Sequence, residues 1–240
     1  MAKKHLRNAP NRQVFINVPF DHEYQPLFEA VVFAVMDCGF VPRCALEGLD
    51  SGEIRLDKLV RLIRECGHGV HDISRTELDP ENQLPRFNMP FELGLFLGAQ
   101  RFASGRKRCL ILDRERFRYQ KFLSDISGQD PRSHQNDPAR AIEALRDWLA
   151  EELRTVRMPG GREIHRRYLR FQQAYLGLCR DLRLDHTRFQ FNDYCQLISV
   201  WLAQSLSSDS VKYTAAKGKA VNTSGNLPGK QKQNSAKRAK

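Results

Sequence analysis

Apolar and polar residues follow two different rhythms along the first 150 residues of the chain. Short β-branched or aromatic runs have the character of strands, and longer segments place apolar residues three and four positions apart, as amphipathic helices do. The predicted strands are 13–18, 40–46, 69–74 and 108–113. The predicted helices are 26–38, 54–66 and 138–152, with one more that opens around Glu92 and ends near Phe102.

Strands that alternate with helices through short connections predict an α/β fold of the Rossmann or flavodoxin-like kind, with a mainly parallel sheet flanked by helices. Pro42 indicates that the second strand is an edge or irregular strand. Gly39 is placed to end the first helix, and Asp137 with Pro138 is a typical start for the last. The charged segment 114–137 reads as a loop, and we expect its Tyr119, Gln129, Asp130 and His134 to form a polar lid.

The chain divides by composition into four regions: a basic arm (1–12), the α/β domain (13–154), a helical extension (162–206) and a disordered basic tail (207–240). The extension contains predicted helices at 163–184 and 192–206, which pack on the α/β domain or on a partner chain. Pro159-Gly160-Gly161 is typical of a linker.

The net charge of +11 is concentrated at the two ends of the chain. Residues 209–240 carry +7, residues 1–12 carry +4, and the positive and negative residues between them balance. Such a tail is either simply solvated or makes non-specific contact with nucleic acid.

The remaining composition is that of a reduced, soluble protein. The six cysteines form no Cys-x-x-Cys pair, so we expect free thiols and no metal site. No apolar run is long enough to span a bilayer, and no apolar segment follows the basic start as in a signal peptide. We therefore expect a cytoplasmic location and no membrane partner.

Polar segments follow several apolar elements, at positions where a parallel sheet would bring them together. These segments are 17–21, 47–53, 72–75 and 86–92. Ligands of such folds bind beyond the carboxyl ends of the strands, so the sequence predicts one crevice there. Glu92 falls in the predicted first turn of its helix, where the macrodipole keeps a carboxylate ionised and ready to act as a nucleophile or base. The side chain of His71 should point to the face of the sheet opposite that of Asp72, and we expect it to be packed in the protein or exposed at the surface.

Three parts of this pattern together resemble a known family. They are Phe15-Ile16-Asn17-Val18-Pro19-Phe20, the strand ending in Asp72, and Pro90-Phe91-Glu92-Leu93-Gly94 ahead of the strand 108–113. Over about residues 13–150 the chain resembles the nucleoside 2-deoxyribosyltransferase-like proteins and, more distantly, the TIR-domain NAD glycohydrolases. The resemblance implies that Glu92 is a nucleophile for the anomeric carbon of a sugar and that Asp72 is a catalytic acidic group for the base or sugar.

The predicted contacts to substrate surround these two carboxylates. They are Asn17, Phe20, Asp50, Ser51, Glu53, Ser74, Arg75, Arg86 and Asn88. The asparagines would hold hydroxyls or a base edge, and either arginine would hold a phosphate. Plainer roles remain open: the 50–53 segment as a helix cap, Asp72 as a turn residue, and Glu92 as a partner of the helix dipole.

The substrate stays open because Arg86 to Pro90 differs from the Asp and Gly-Thr-type lead of the transferases. The resemblance implies cleavage or transfer of an N-glycosidic bond in a nucleoside, a nucleotide or NAD. NAD would then be a substrate and not a cofactor, and no bound cofactor is expected. The alternatives are a nucleotide-sensing or TIR-like signalling or defence module without turnover, and a nucleic-acid scaffold that works through its tails. Relatives of this kind form dimers or larger assemblies, so we expect a homo-oligomer, with residues 163–206 as one source of its interface.

Overall fold

A computed structural model of the chain describes residues 12–48, 52–78, 83–85, 87–151 and 158–205. The predicted basic tail (207–240) and nearly all of the basic arm lie outside these residues, as do three predicted substrate contacts: Asp50, Ser51 and Arg86.

The described residues form one sheet of five parallel strands. The strands are β1 (Gln13–Asn17), β2 (Val41–Cys44), β3 (His68–Asp72), β4 (Arg108–Asp113) and β5 (Arg132–Ser133), in the order β2-β1-β3-β4-β5. The predicted α/β, Rossmann-like fold is therefore confirmed. The strand that contains Pro42 lies at an edge of the sheet, where a missing backbone N–H disturbs the hydrogen-bond ladder least.

Helices follow most of the strands and cover the sheet. They are α1 (Gln25–Asp37), α2 (Arg55–Glu65), α3 (Asn88–Phe102), α4 (Pro138–Ala150) and α5 (Gly161–Leu182). Gly39 follows α1 with a φ of +82°, the left-handed conformation that glycine adopts without strain. The side chain of Asp137 caps α4 by accepting the N–H of Ala139 (2.8 Å), with Pro138 at the first helical position, as predicted.

Both faces of the sheet are covered, which explains why β1 and β3 are buried at every position. On one face, Phe15 packs with Leu62 of α2 and Phe96 of α3. The other group of helices, α1, α4 and α5, packs together, and α1 is buried throughout Ala30–Val35. Each large apolar side chain buried in this way contributes about 1.5–3 kcal/mol, so the sheet is a rigid platform for whatever lies at its ends.

The prediction of a loop over 114–137 was wrong. Two short 3-10 helices, Arg118–Lys121 and Ser124–Ile126, and strand β5 lie in this segment. A strand of two residues is too short to show an alternating pattern, so hydrophobic periodicity could not have found it.

The predicted start of α3 and the predicted cap of α2 were also wrong. Helix α3 begins at Asn88, so Glu92 is its fifth residue and lies in the second turn. Pro90 is tolerated at the third position because its N–H would have no partner inside the helix. The N-cap of α2 is Ile54, without a side-chain cap, and Glu53 instead pairs with Arg61 at 3.0 Å.

Helix α5, the first predicted helix of the C-terminal extension, packs against α1. Arg167 of α5 pairs with the buried Asp37 at the end of α1 (3.1 Å), and Tyr168 packs against Phe33. The compact unit that contains the sheet extends to Ser199, and its residues 191–199 are helical. A second unit begins at Val200, and its residues 200–205 are also helical. Within the described ranges, none of the helices is both long enough and apolar enough to cross a bilayer.

Candidate functional site

The candidate site lies where β1 and β3 end side by side. From this pair of strands the chain leads to β2 on one side and to β4 and β5 on the other. In doubly wound sheets such a reversal leaves a crevice at the carboxyl ends of the two strands, and ligands bind there. Asn17 is the last residue of β1, and it stands opposite His71, next to Asp72 at the end of β3.

The Asn17 amide joins the two strands to helix α3. Its Nδ2 lies 3.0 Å from Nδ1 of His71 and donates to the carbonyl oxygen of Met89 (3.1 Å). Asn17 is buried, and its Oδ1 has no hydrogen-bond partner among the described residues. A buried amide oxygen without a partner loses about 1–3 kcal/mol of solvation, so this atom is one to which a ligand could donate.

His71 is packed, which was one of its two expected placements. Its ring lies between Phe15 and Phe96, with centroids 5.7 and 4.9 Å away. Burial lowers the pKa of His71 to about 3, so the ring is neutral at physiological pH. It therefore serves to hold α3 against the sheet and to orient Asn17.

Glu92 faces the ends of the strands because of its place on α3. It lies between Met89, whose carbonyl oxygen accepts from Asn17, and Phe96, which packs against His71 with its ring tilted. Residues spaced by three and seven share one side of a helix. Glu92 is 4% exposed. Its carboxyl group makes no hydrogen bond or ion pair with any other described residue, although buried carboxyls are normally satisfied.

Burial raises the pKa of Glu92 to about 7, and the positive charge of Arg55 at the start of α2 lowers it in part. The expectation that a helix dipole keeps Glu92 ionised is therefore wrong. The dipole acts mainly within the first turn, and Glu92 lies in the second. A carboxyl group with this pKa changes its protonation near neutrality, as acid–base and nucleophilic groups in enzymes often do.

Asp72 follows His71 on β3, so its side chain points to the other face of the sheet, and it is fully buried. Its Oδ2 accepts the hydroxyl hydrogen of Tyr24 (2.6 Å), and its Oδ1 accepts the N–H of Ser74 (2.7 Å). Burial and the neighbouring Asp72 carboxylate raise the pKa of Tyr24 well above its ordinary value, so this phenol stays a donor. With both oxygens engaged, Asp72 is placed to position other groups rather than to touch a substrate.

His134 completes the surroundings of Asp72. Its Nδ1 accepts the backbone N–H of Asn136 (3.0 Å), which puts the ring proton on Nε2, 2.9 Å from Asp72 Oδ2. This N–H is not well aligned with the oxygen, so the contact is a close polar contact and not a full hydrogen bond. His134 and Tyr119, both expected in a polar lid, are buried instead.

The other predicted contacts that the structure describes are dispersed. Arg75 pairs with Asp21 (3.2 Å) and Glu23 (2.7 Å), which ties the end of β3 to the segment after β1. Phe20 packs against Phe28, and Ser74 is buried. Glu53 forms an ion pair with Arg61, and Asn88 is exposed at the start of α3. The structure thus joins Asn17 to α3, the helix that carries Glu92, and joins Asp72 to Ser74 and Tyr24 on the other face of the sheet.

A second buried ion pair lies at the end of β4. Arg118 binds Asp113 (2.7 Å) and also donates to the carbonyl oxygen of Ile73 and the hydroxyl of Thr76. Burial raises the pKa of Asp113, and Arg118 opposes that rise. This arginine fixes the segment that leaves β3, immediately beyond Asp72.

Two cavities, of about 640 and 450 Å³, lie away from Glu92 and Asp72. The larger is lined by β4, β5 and one side of α4, and the smaller by the end of α3 and residues 125–129. Neither contains a predicted catalytic or substrate-binding residue, but Gln129 and Asp130, expected in a polar lid, line the larger cavity instead. Among the described residues, no group of three or more His, Cys, Asp or Glu side chains is arranged to hold a metal ion.

Sequence reasoning missed Tyr24, Arg55 and His134, which act on the two carboxyl groups from distant parts of the chain. In the sequence, His134 lies three residues before Asp137, the predicted cap of α4. No local sequence pattern connects His134 with Asp72. A comparison with models of protein families finds no match to this chain, and a comparison with curated proteins finds none either.

Proposed function

We propose that the protein cleaves or transfers an N-glycosidic bond of a nucleoside, a nucleotide or NAD, with Glu92 as nucleophile. The observation that carries this proposal is a buried carboxyl group without a polar partner, held at the carboxyl ends of β1 and β3. Polar groups buried in this way are uncommon unless a ligand satisfies them. The resemblance around Glu92-Leu93-Gly94 supplies the reaction class.

In the proposed reaction, an oxygen of ionised Glu92 bonds to the anomeric carbon while the carbon–nitrogen bond breaks. The departing base takes the electron pair of that bond. The base of a nucleoside or nucleotide also takes a proton from solvent or a neighbouring donor, whereas the positively charged nicotinamide of NAD becomes neutral without one. Water or a second base then attacks the anomeric carbon and releases the carboxylate. The amide oxygen of Asn17, which lacks a partner, accepts a hydrogen bond from a sugar hydroxyl.

Two features of the site set conditions on this reaction. Since Glu92 is only 4% exposed, a sugar reaches it only after the side chains that cover it move apart. Since its pKa is about 7, a nucleophilic carboxylate becomes fully available only above that pH. Arg55, whose charge already favours ionised Glu92, would also attract an anionic group of the substrate.

The direct test is incubation of the protein with NAD and, separately, with deoxynucleosides, followed by chromatography for free base. Glu92→Gln should abolish release, since an amide is a poor nucleophile, while the exposed Glu143→Gln should retain it. Release by the wild type that persists in Glu92→Gln would remove Glu92 from the mechanism.

Non-catalytic sensing of a nucleotide is the alternative, and one observation favours it. A carboxyl group with a pKa near 7 is about half protonated at neutral pH, and in that form it donates a hydrogen bond instead of attacking carbon. A ligand-dependent rise in melting temperature without product after long incubation would support sensing over turnover.

A further inference from the structure

The outward face of α3 carries three phenylalanines that project into solvent. Phe87, the residue that opens the helix, is 67% exposed, Phe91 is 54% exposed and Phe102 is 87% exposed. Their spacing of four and eleven residues places them along one side of the helix. Rings of this size are usually buried, so three in one line mark an apolar surface rather than scattered exceptions.

The opposite side of α3 is apolar as well. Leu93 and Phe96 are buried there against the sheet domain. A helix that is apolar all round normally has a partner on each side. Helix α2, which packs beside α3, adds the exposed side chains of Leu56 and Val60, one turn apart.

Two glycines separate the rings of Phe91 and Phe102. Apart from α3 itself, no described residue places an atom within 4 Å of where a Cβ would stand on Gly94 or Gly98. The outward line of α3 therefore reads ring, glycine, glycine, ring. Small residues at such positions allow two helix backbones to approach closely.

We propose that this face of α3 pairs with the same face of a second copy of the chain, the two helices running antiparallel across a two-fold axis. The pattern is palindromic about Phe96: Gly94 and Gly98 lie two residues on either side, and Phe91 and Phe102 lie five and six. In an antiparallel pair, Gly94 of each copy faces Gly98 of the other, and each Phe91 lies near the other Phe102. A face that is complementary to itself is what a two-fold dimer requires.

The exposed rings supply part of the area that a dimer interface needs. At about 200 Å² for each phenylalanine side chain, the three rings leave roughly 400 Å² in solvent, about half of the ~800 Å² that each partner buries in a standard interface. Leu56 and Val60 add to that area. The stripe itself contains no charged residue, so no like charges meet at the axis, and antiparallel helix dipoles attract.

The test is sedimentation velocity of the full-length protein and two variants from about 1 to 100 µM. The wild type should be a dimer, and Phe102→Asp should raise the dissociation constant by roughly 30-fold or more, because it replaces an aromatic contact by a charge that association would desolvate. Gly94→Leu adds apolar surface but blocks close approach of the helices, so it too should yield monomer. Non-specific hydrophobic association would have the opposite effect: the added leucine would make Gly94→Leu associate more tightly than the wild type.

The control variant is Leu176→Asp on α5, a leucine that is 56% exposed on the other helical surface considered as an interface. It should leave the dimer intact. A wild type that is monomeric throughout, or a dimer lost in Leu176→Asp and kept in Phe102→Asp, overturns the proposal. Circular dichroism and melting of each variant separate loss of pairing from loss of fold, and Gly94→Leu should melt no lower than the wild type because leucine favours helix.

Discussion

Replacing Glu92 by Gln should stabilise the protein, and increasingly so as the pH rises. The pKa of Glu92 is raised from 4.5 to about 7 because the folded protein buries the carboxyl group. Between these values the unfolded chain has lost the proton and the folded chain keeps it. The folded state of the wild type therefore loses stability as the pH rises from about 4.5 to about 7, and an uncharged amide escapes that loss.

The size of the effect follows from the shift. Each pKa unit corresponds to about 1.4 kcal/mol, so the full interval is worth about 3 kcal/mol, and roughly 2 kcal/mol once screening by nearby solvent is included. That is a substantial part of the 5–15 kcal/mol that typically holds a domain folded.

Urea unfolding of the wild type and Glu92→Gln at pH 5 and pH 8 measures this effect. The stability difference between the two proteins should grow in favour of Gln by about 2 kcal/mol from the lower to the higher pH, equivalent to a rise of several degrees in Tm. His71 also titrates, with a pKa lowered to about 3, but it is present in both proteins and cancels in the difference.

Glu143→Gln is the matched control, since that side chain is exposed on α4, and its difference from the wild type should not change with pH. A constant gap between the wild type and Glu92→Gln would refute the reasoning. So would a gap that narrows at high pH, which would mean that Glu92 is stabilised as a carboxylate and is not the isolated buried acid described above.

Three further outcomes follow from the structure. Tyr24→Phe removes the 2.6 Å hydrogen bond to the buried Asp72 and should cost about 1.5–3 kcal/mol by urea unfolding, with little change if Asp72 finds another donor. Arg118→Met leaves Asp113 without its 2.7 Å partner and should cost about 3–5 kcal/mol in the same assay, whereas a loss below 1 kcal/mol would mean that water replaces the arginine. Deletion of 209–240 should weaken binding to DNA or RNA at low salt and flatten its salt dependence, and unchanged affinity would clear the tail of that role.

The fold was predictable because each major element repeats its pattern over several residues. The strand 108–113 has the predicted bounds, and the Asp137-Pro138 start of α4 follows from capping alone. Strand β5 was not predicted because a strand of two residues is too short to show an alternating pattern. The start of α3 was misplaced because Glu92 was assigned to the first turn, whereas the helix begins four residues earlier, at Asn88, and contains Pro90 at its third position.

The candidate site was predictable only in part, for a different reason. Glu92, Asp72 and Asn17 could be found because they follow apolar elements that a parallel sheet brings together. The protonation of Glu92 and the burial of Asp72 depend on Arg55 and His134, which are close in space and far apart in sequence. Periodicity contains no information on such contacts, so the chemical state of each carboxyl group had to come from the fold.

The shortness of β5 has a consequence for how the molecule opens. Two residue pairs, Leu112 with Arg132 and Asp113 with Ser133, join this strand to the sheet, and the N–H groups of His134 and Gln135 add hydrogen bonds to the carbonyl oxygens of Asp113 and Arg114. The next residue is His134, which covers the most buried carboxylate of the candidate site. Brief detachment of this short strand would admit water to Asp72 while the rest of the sheet stays intact. Amide hydrogen exchange should therefore be faster at 132–134 than in β1 or β3. The free energy needed to expose Asp72 to water is then that of detaching β5, and not that of unfolding the whole sheet.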